Sequence, residues 1–160
     1  MPLTVRIDDL SSPEVQALVT EHLAGMRGHS PPGSVHALAI EALRAPAITF
    51  LTVWDGEQLC GCGALKALDA VSGEIKSMRT RPAFLRRGVG QSVLDAILDL
   101  ARSRGYRTLY LETGTGPAFD AAHALYRRNG FVRCEAFGEY VASDFNVFFG
   151  RAVDGQALAP

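Results

Sequence analysis

No run of apolar residues in this chain approaches the roughly 20 that a helix needs to cross a bilayer, so no helical membrane span is expected. Charge of neither sign prevails. The 16 Lys and Arg stand against 17 Asp and Glu, for a formal net charge of −1. That balance leaves no electrostatic footprint for nucleic acid or an anionic membrane surface. Cysteine is scarce and odd in number at three, which does not make a disulfide framework. The opening MPLTVRIDDL lacks the basic-then-apolar pattern of a secretory leader, so the expected location is the cytoplasm. Repeats and composition breaks are absent too. The 160 residues, 48% hydrophobic and 21% charged, therefore read as one soluble globular domain over residues 1–153. The closing DGQALAP (154–160) reads as a disordered tail.

What is present is a succession of short periodic segments. LTVRIDDL (3–10) is β-rich, and Ser11-Ser12-Pro13-Glu14 has the hydroxyl cap and first-turn proline that open a helix. Leu18, Val19, Leu23 and Met26 give that helix its stripe. After HSPPGS (29–34), Ser34 can cap a second short helix reaching Leu43. Residues 48–68 form a hairpin around Asp55-Gly56, a strong turn dipeptide, and EIKSMRT (74–80) is a fourth strand. Val93, Leu94, Ile97, Leu98 and Ala101 line one face of a helix ending at Gly105. TLYLET (108–113) is a buried-type strand, and 118–129 is a helix stopped by Gly130. FVRCEAF (131–137) and NVFFGRAV (146–153) close the chain as strands. Helices interspersed with strands in the order β-α-α-β-β-β-α-β-α-β-β imply an α/β architecture, a mixed sheet covered on both faces.

The densest positive charge sits at a turn. In FLRRGVGQSVLDA (84–96), Arg86 and Arg87 abut Gly88-Val89-Gly90 at the mouth of a helix. The pattern is neither GxxxxGK[ST] nor GxGxxG. A tight turn with solvated arginines would account for it. So would an anion site, because a helix start offers unpaired N–H groups and partial positive charge. Arg86, Arg87 and the N–H groups from Arg86 through Gly88, Val89 and Gly90 to Gln91 suit a phosphate.

SMRTRPAFLRRGVGQSVL resembles the central signature of the GNAT superfamily of acyl-CoA N-acyltransferases. Thr80-Arg81-Pro82 matches its strand end, and Gly88 and Gly90 its two small positions; Leu85 stands where Arg or Gln is usual. AAHALYRRNGFVRC (121–134) resembles the family's later signature through Ala122, Leu125, Tyr126, Gly130 and Phe131, with Phe119 in place of a frequent asparagine. The resemblance covers about residues 3–153. It implies the GNAT fold, a mixed and largely antiparallel sheet of about seven strands flanked by about four helices.

The resemblance also implies an enzyme. It would transfer acetyl from acetyl-CoA, as co-substrate, to a primary amine in a ternary complex, without an acyl-enzyme. The turn would cradle the pyrophosphate, and the pantetheine arm would pair with the fourth strand near Met78 and Thr80, between strands four and five. Glu74 matches the position of a glutamate general base in many relatives; an exposed strand-end carboxylate is the plain alternative, and Glu112 is the rival base. Tyr126 is the candidate acid for the departing thiolate, or else a core tyrosine. Lys76 and Arg79 alternate away from Met78 and are candidates for meeting an anionic acceptor. His29 and His36 fall in the region that walls the acceptor site in relatives. Together these cations favour a small-molecule acceptor with a carboxylate, such as an amino acid. His123 reads as solvent-facing. Cys60 and Cys62 point to one face as core residues, and no metal site is expected. The alternatives are a non-catalytic acyl-CoA-binding sensor or interaction domain, and a protein-lysine acetyltransferase. A homodimer, common among relatives, is left open.

Overall fold

The computed structural model describes residues 2–27 and 38–154, and the side chains of 23–27 and of 38 and 39 lie outside it. His29, His36, the HSPPGS loop and the tail from 155 fall outside the described residues, as do the side chains of Leu23 and Met26. The elements run β1 (Thr4–Ile7), α1 (Pro13–Arg27), α2 (Leu38–Leu43), β2 (Ile48–Asp55), β3 (Gln58–Ala67), β4 (Ser72–Thr80), α3 (Val89–Ser103), β5 (Thr108–Gly114), α4 (Asp120–Arg128), β6 (Val132–Cys134) and β7 (Asn146–Ala152). The order is the one the sequence implies. Single 3-10 turns at Pro82–Phe84 and Pro117–Phe119 precede α3 and α4. The strands form a seven-stranded sheet in the order β1-β2-β3-β4-β5-β7-β6. β4 pairs parallel with β5, while β1/β2, β5/β7 and β6/β7 are antiparallel. No described helix is long and apolar enough to cross a membrane.

Two compact units make up the chain: Met1–Leu65 with Ser77–Ala96, and Lys66–Lys76 with Ile97–Pro160. In the first, the Val15 N–H donates to Ser12 Oγ at 3.3 Å where Pro13 opens α1, as the capping pattern implies. Val15, Leu18 and Val19 of α1 then pack with Leu10, Leu43, Phe50, Trp54, Cys62 and Ala64. The alternate residues of β3 are glycines, and they face α3. A Cβ on Gly61 would lie 2.5 Å from the Arg79 carbonyl oxygen and 2.7 Å from Val89. One on Gly63 would lie 2.5 Å from Val93 and 2.7 Å from the Met78 sulfur. The cysteine–glycine alternation of QLCGCGAL thus puts a core on one face of β3 and a close helix seat on the other.

In the second unit both helix ends are set by the same device. Gly105 (φ +77°) and Gly130 (φ +85°) take the left-handed turn that glycine tolerates best. The N–H groups that follow reach back, Tyr106 to the Ala101 carbonyl and Phe131 to that of Tyr126. The Phe131 ring packs edge-on against Tyr126 with centroids 5.8 Å apart. The spacing Tyr126…Gly130-Phe131 is therefore a helix-terminating motif that fixes the tyrosine. β6 is shorter than its sequence suggests. It ends at Cys134, and residues 135–145 leave the sheet as a strap.

Candidate active site

The turn after β4 belongs to the first unit. Arg86 (φ +64°) and Gly88 (φ +83°) both take the left-handed conformation, which for an arginine costs about 1 kcal/mol or more. Space within 4 Å of a hypothetical Gly88 Cβ is empty. α3 begins at Val89, so the N–H groups of Val89, Gly90 and Gln91 open the helix, where intrahelical acceptors are missing. Left-handed residues followed by helix-opening N–H groups form a concavity suited to an anion. The two arginines differ. Arg87 donates to Asp55 at 2.7 Å and lies over the Phe84 ring, whereas Arg86 is exposed and has no ion pair among the described residues. Of the two arginines named for the phosphate, Arg87 already has a carboxylate partner.

The same unit holds an open depression of about 800 Å³ that the sequence reading missed. Its lining includes Glu14, Glu21, Glu57, Arg79, Arg81 and Phe84. The Arg79 Nε is buried without a hydrogen-bond partner. His22 of α1 is affected by Arg79. Burial first, then that guanidinium, push its pKa down to about 4, so its ring is neutral at neutral pH.

The second unit carries the carboxylates. Glu74 is 2% exposed, which rules out the plain surface alternative. Tyr140, on the strap, donates its hydroxyl to Glu74 Oε2 at 2.5 Å. Lys76 Nζ donates to the Tyr140 oxygen at 3.1 Å and lies 3.5 Å from the same Oε2. Burial raises the pKa of Tyr140, and its hydrogen bond to Glu74 with the charges of Glu74 and Glu112 raises it further. It stays a donor across the working pH range. Register pairs Glu74 with Tyr110 and Glu112 with Phe148, so these side chains share one sheet face. Glu112 is half-buried and accepts a hydrogen bond from Asn146 at 3.2 Å.

α4 covers the opposite face, where Phe149 meets both His123 and Tyr126. His123 is not solvent-facing. It is half-buried, with Nε2 3.0 Å from the Gly114 carbonyl oxygen. Tyr126 is 6% exposed, and burial pushes its pKa up to about 12. Its hydroxyl has no hydrogen-bond partner among the described residues, leaving it free to donate elsewhere. Phe119, in the asparagine's place, packs over Gly114 instead of offering a polar side chain.

β4 is the strand common to both parts. Glu74 and Lys76 lie in its second-unit half, and Met78, Arg79 and Thr80 in its first-unit half. Ser77, between them, takes φ +57°, and its carbonyl accepts from the Cys62 thiol at 3.3 Å. Burial raises the pKa of all three thiols, that of Cys62 to about 12, so none is poised as a nucleophile at neutral pH. No cluster of three or more His, Cys, Asp or Glu among the described residues is arranged to hold a metal.

The model of the acetyltransferase (GNAT) family matches residues 15–131. The chain is 53% identical over 137 residues to the uncharacterized N-acetyltransferase YedL of Escherichia coli K12, covering 86% of each. To the uncharacterized N-acetyltransferase YsnE of Bacillus subtilis 168 it is 50% identical over 147 residues, covering 92% of this chain and 97% of the other. In three dimensions it resembles a Klebsiella pneumoniae protein named provisionally as an acyl-CoA N-acyltransferase. That TM-score is 0.75 at 26% identity, covering 94% of this chain and 97% of the other.

Proposed function

The chain belongs to the GNAT acetyltransferase family and is an N-acetyltransferase, and we propose that it acetylates the primary amine of a small, carboxylate-bearing acceptor by direct attack on acetyl-CoA. One observation carries the catalytic half of this reading: Glu74 is a buried carboxylate held by two donors on a strand. In the proposal the N-terminus of α3 and Arg86 hold the pyrophosphate, and Met78 and Thr80 guide the pantetheine arm. The acceptor ammonium loses one proton to Glu74, directly or through a water, its nitrogen bonds to the acetyl carbon, and the nitrogen's second proton leaves to solvent. The C–S bond then breaks, and the thiolate takes a proton from the Tyr126 hydroxyl, which is replenished from solvent. Proton acceptance and donation of this kind contribute roughly 10²–10⁴ each in rate.

The acceptor's carboxylate is inferred from Arg79. Its Nε is buried without a hydrogen-bond partner, and the residue lines the open depression of the first unit. Lys76, the other candidate, is already engaged by Glu74 and Tyr140. Three free thiols agree with a reducing, cytoplasmic location. The test is thiol release from acetyl-CoA with a panel of amino acids, their methyl esters and simple alkylamines, with acetylated products weighed by mass spectrometry. Free amino acids should exceed their esters at least tenfold in kcat/KM. Esters working as well would remove the carboxylate from the reading, and no stimulation by any small amine would remove the small-molecule acceptor.

A further inference from the structure

Glu74 and Tyr140 lie 66 residues apart in sequence, and the Tyr140 hydroxyl donates to the Glu74 carboxylate at 2.5 Å. Residues 135–145 have no strand pairing, yet aromatic rings fasten them down. Phe137 stacks on Tyr110 at 5.0 Å and meets Phe148 edge-on at 5.7 Å. Tyr140 packs against Phe137 at 5.2 Å and against Phe148 at 5.9 Å. The strap is thus pinned to the sheet face that carries Glu74, and its pin delivers one hydroxyl to one carboxylate oxygen. Lys76 completes the triangle, 5.7 Å over the Tyr140 ring and bonded to its oxygen.

We propose that Tyr140, with Lys76, is the positioning pair of the base: it holds Glu74 Oε2 and thereby aims Oε1 at the attacking amine. The inference rests on the reading of Glu74 as base. The terminal torsion of a glutamate is broad and softly two-fold, so an untethered carboxylate swings. A base must stay within about 2.6–3.2 Å of the proton it takes, and a misplacement near 1 Å can cost roughly 10²-fold. Two donors on one oxygen remove that freedom. The charged and titratable groups facing Glu74 are Lys76 on its own strand, Tyr110 and Glu112 on β5, and Tyr140 on the strap. Lys76 is thereby reassigned from an acceptor contact to a support of the base.

Tyr140→Phe keeps the ring contacts and removes only the hydroxyl. The experiment compares wild type, Tyr140→Phe, Lys76→Met and Glu74→Gln across pH 6–10, using acetyl-CoA and the best amine. For Tyr140→Phe the expected result is a fall in kcat of about tenfold with KM for acetyl-CoA unchanged. The acid limb of the rate profile should differ from that of wild type. Lys76→Met should move the limb as well. A Tyr140→Phe profile identical to wild type, while Glu74→Gln abolishes neutral-pH turnover, overturns the positioning role and leaves the base in place. Silence of Glu74→Gln overturns both. Should Tyr140→Phe lose secondary structure by circular dichroism, Lys76→Met decides alone, and its unshifted limb is equally fatal.

Discussion

His22 offers a test of the packing around the depression that needs no substrate. Its pKa falls from about 6.5 to about 4, first through burial and then through Arg79. Because the folded value is the lower one, the unfolded chain takes up the proton first. Stability is therefore fully present above about pH 6.5 and is lost as pH falls toward 4. Linkage for that shift gives a loss of about 2 kcal/mol between pH 7 and pH 5. With a urea dependence near 2 kcal/mol per M, the unfolding midpoint should drop by about 1 M from this group alone. Carboxylates titrate over the same range, so the informative quantity is a double difference. Urea unfolding of wild type and His22→Gln is measured at both pH values. The variant's own cost cancels, and its acid-induced drop should be smaller by about 1 M. Equal drops in the two proteins would show that His22 is as well solvated when folded as when unfolded, and would refute the reasoning.

Three further outcomes follow from named contacts. Arg86→Gly should leave stability intact, since glycine relieves the left-handed strain, yet weaken acetyl-CoA binding about tenfold by calorimetry at low salt; Arg87→Ala should weaken it less, because Asp55 already engages that cation. Gly61→Ala should cost about 2–3 kcal/mol in chemical denaturation and Gly63→Ala about 1 kcal/mol, because the first Cβ meets backbone oxygen and the second meets side chains that can shift. Equal costs would contradict the close seating of α3. Glu74→Gln should lower turnover mainly near neutral pH and recover partly in alkali, while Glu112→Gln alters stability more than rate; a reversed pH–rate pattern transfers the base to Glu112.

The elements that local rules govern were legible in the sequence. The order of helices and strands followed from periodicity and turn residues, and α3 buries Val93, Leu94, Ile97, Leu98 and Ala101, the stripe its spacing implies. Gly88, Gly105 and Gly130 occupy left-handed turns as their places suggested. What escaped were contacts between residues far apart in sequence. GEYVASDF (138–145) carries no strand or helix period, so nothing local marks Tyr140 as the partner of Glu74. His22 sits among ordinary α1 residues, and only burial beside Arg79 distinguishes it. The Arg87–Asp55 pair joins a β-hairpin turn to the turn before α3, a juxtaposition that spacing cannot give. Polar residues in the interior are placed by tertiary packing, and periodicity speaks mainly for apolar ones.

In the proposed mechanism the chain itself supplies the acid. Tyr126 is fixed by the α4 terminus, buried, and protonated up to about pH 12. The decisive measurement is the single-turnover rate of acetyl transfer by Tyr126→Phe, which keeps the ring and its packing on Phe131 and Phe149. A fall of roughly 10²-fold with acetyl-CoA affinity unchanged is the expected result. A Phe variant that transfers acetyl at the wild-type rate, with chemistry rate-limiting, would reduce Tyr126 to a packing residue and contradict the mechanism.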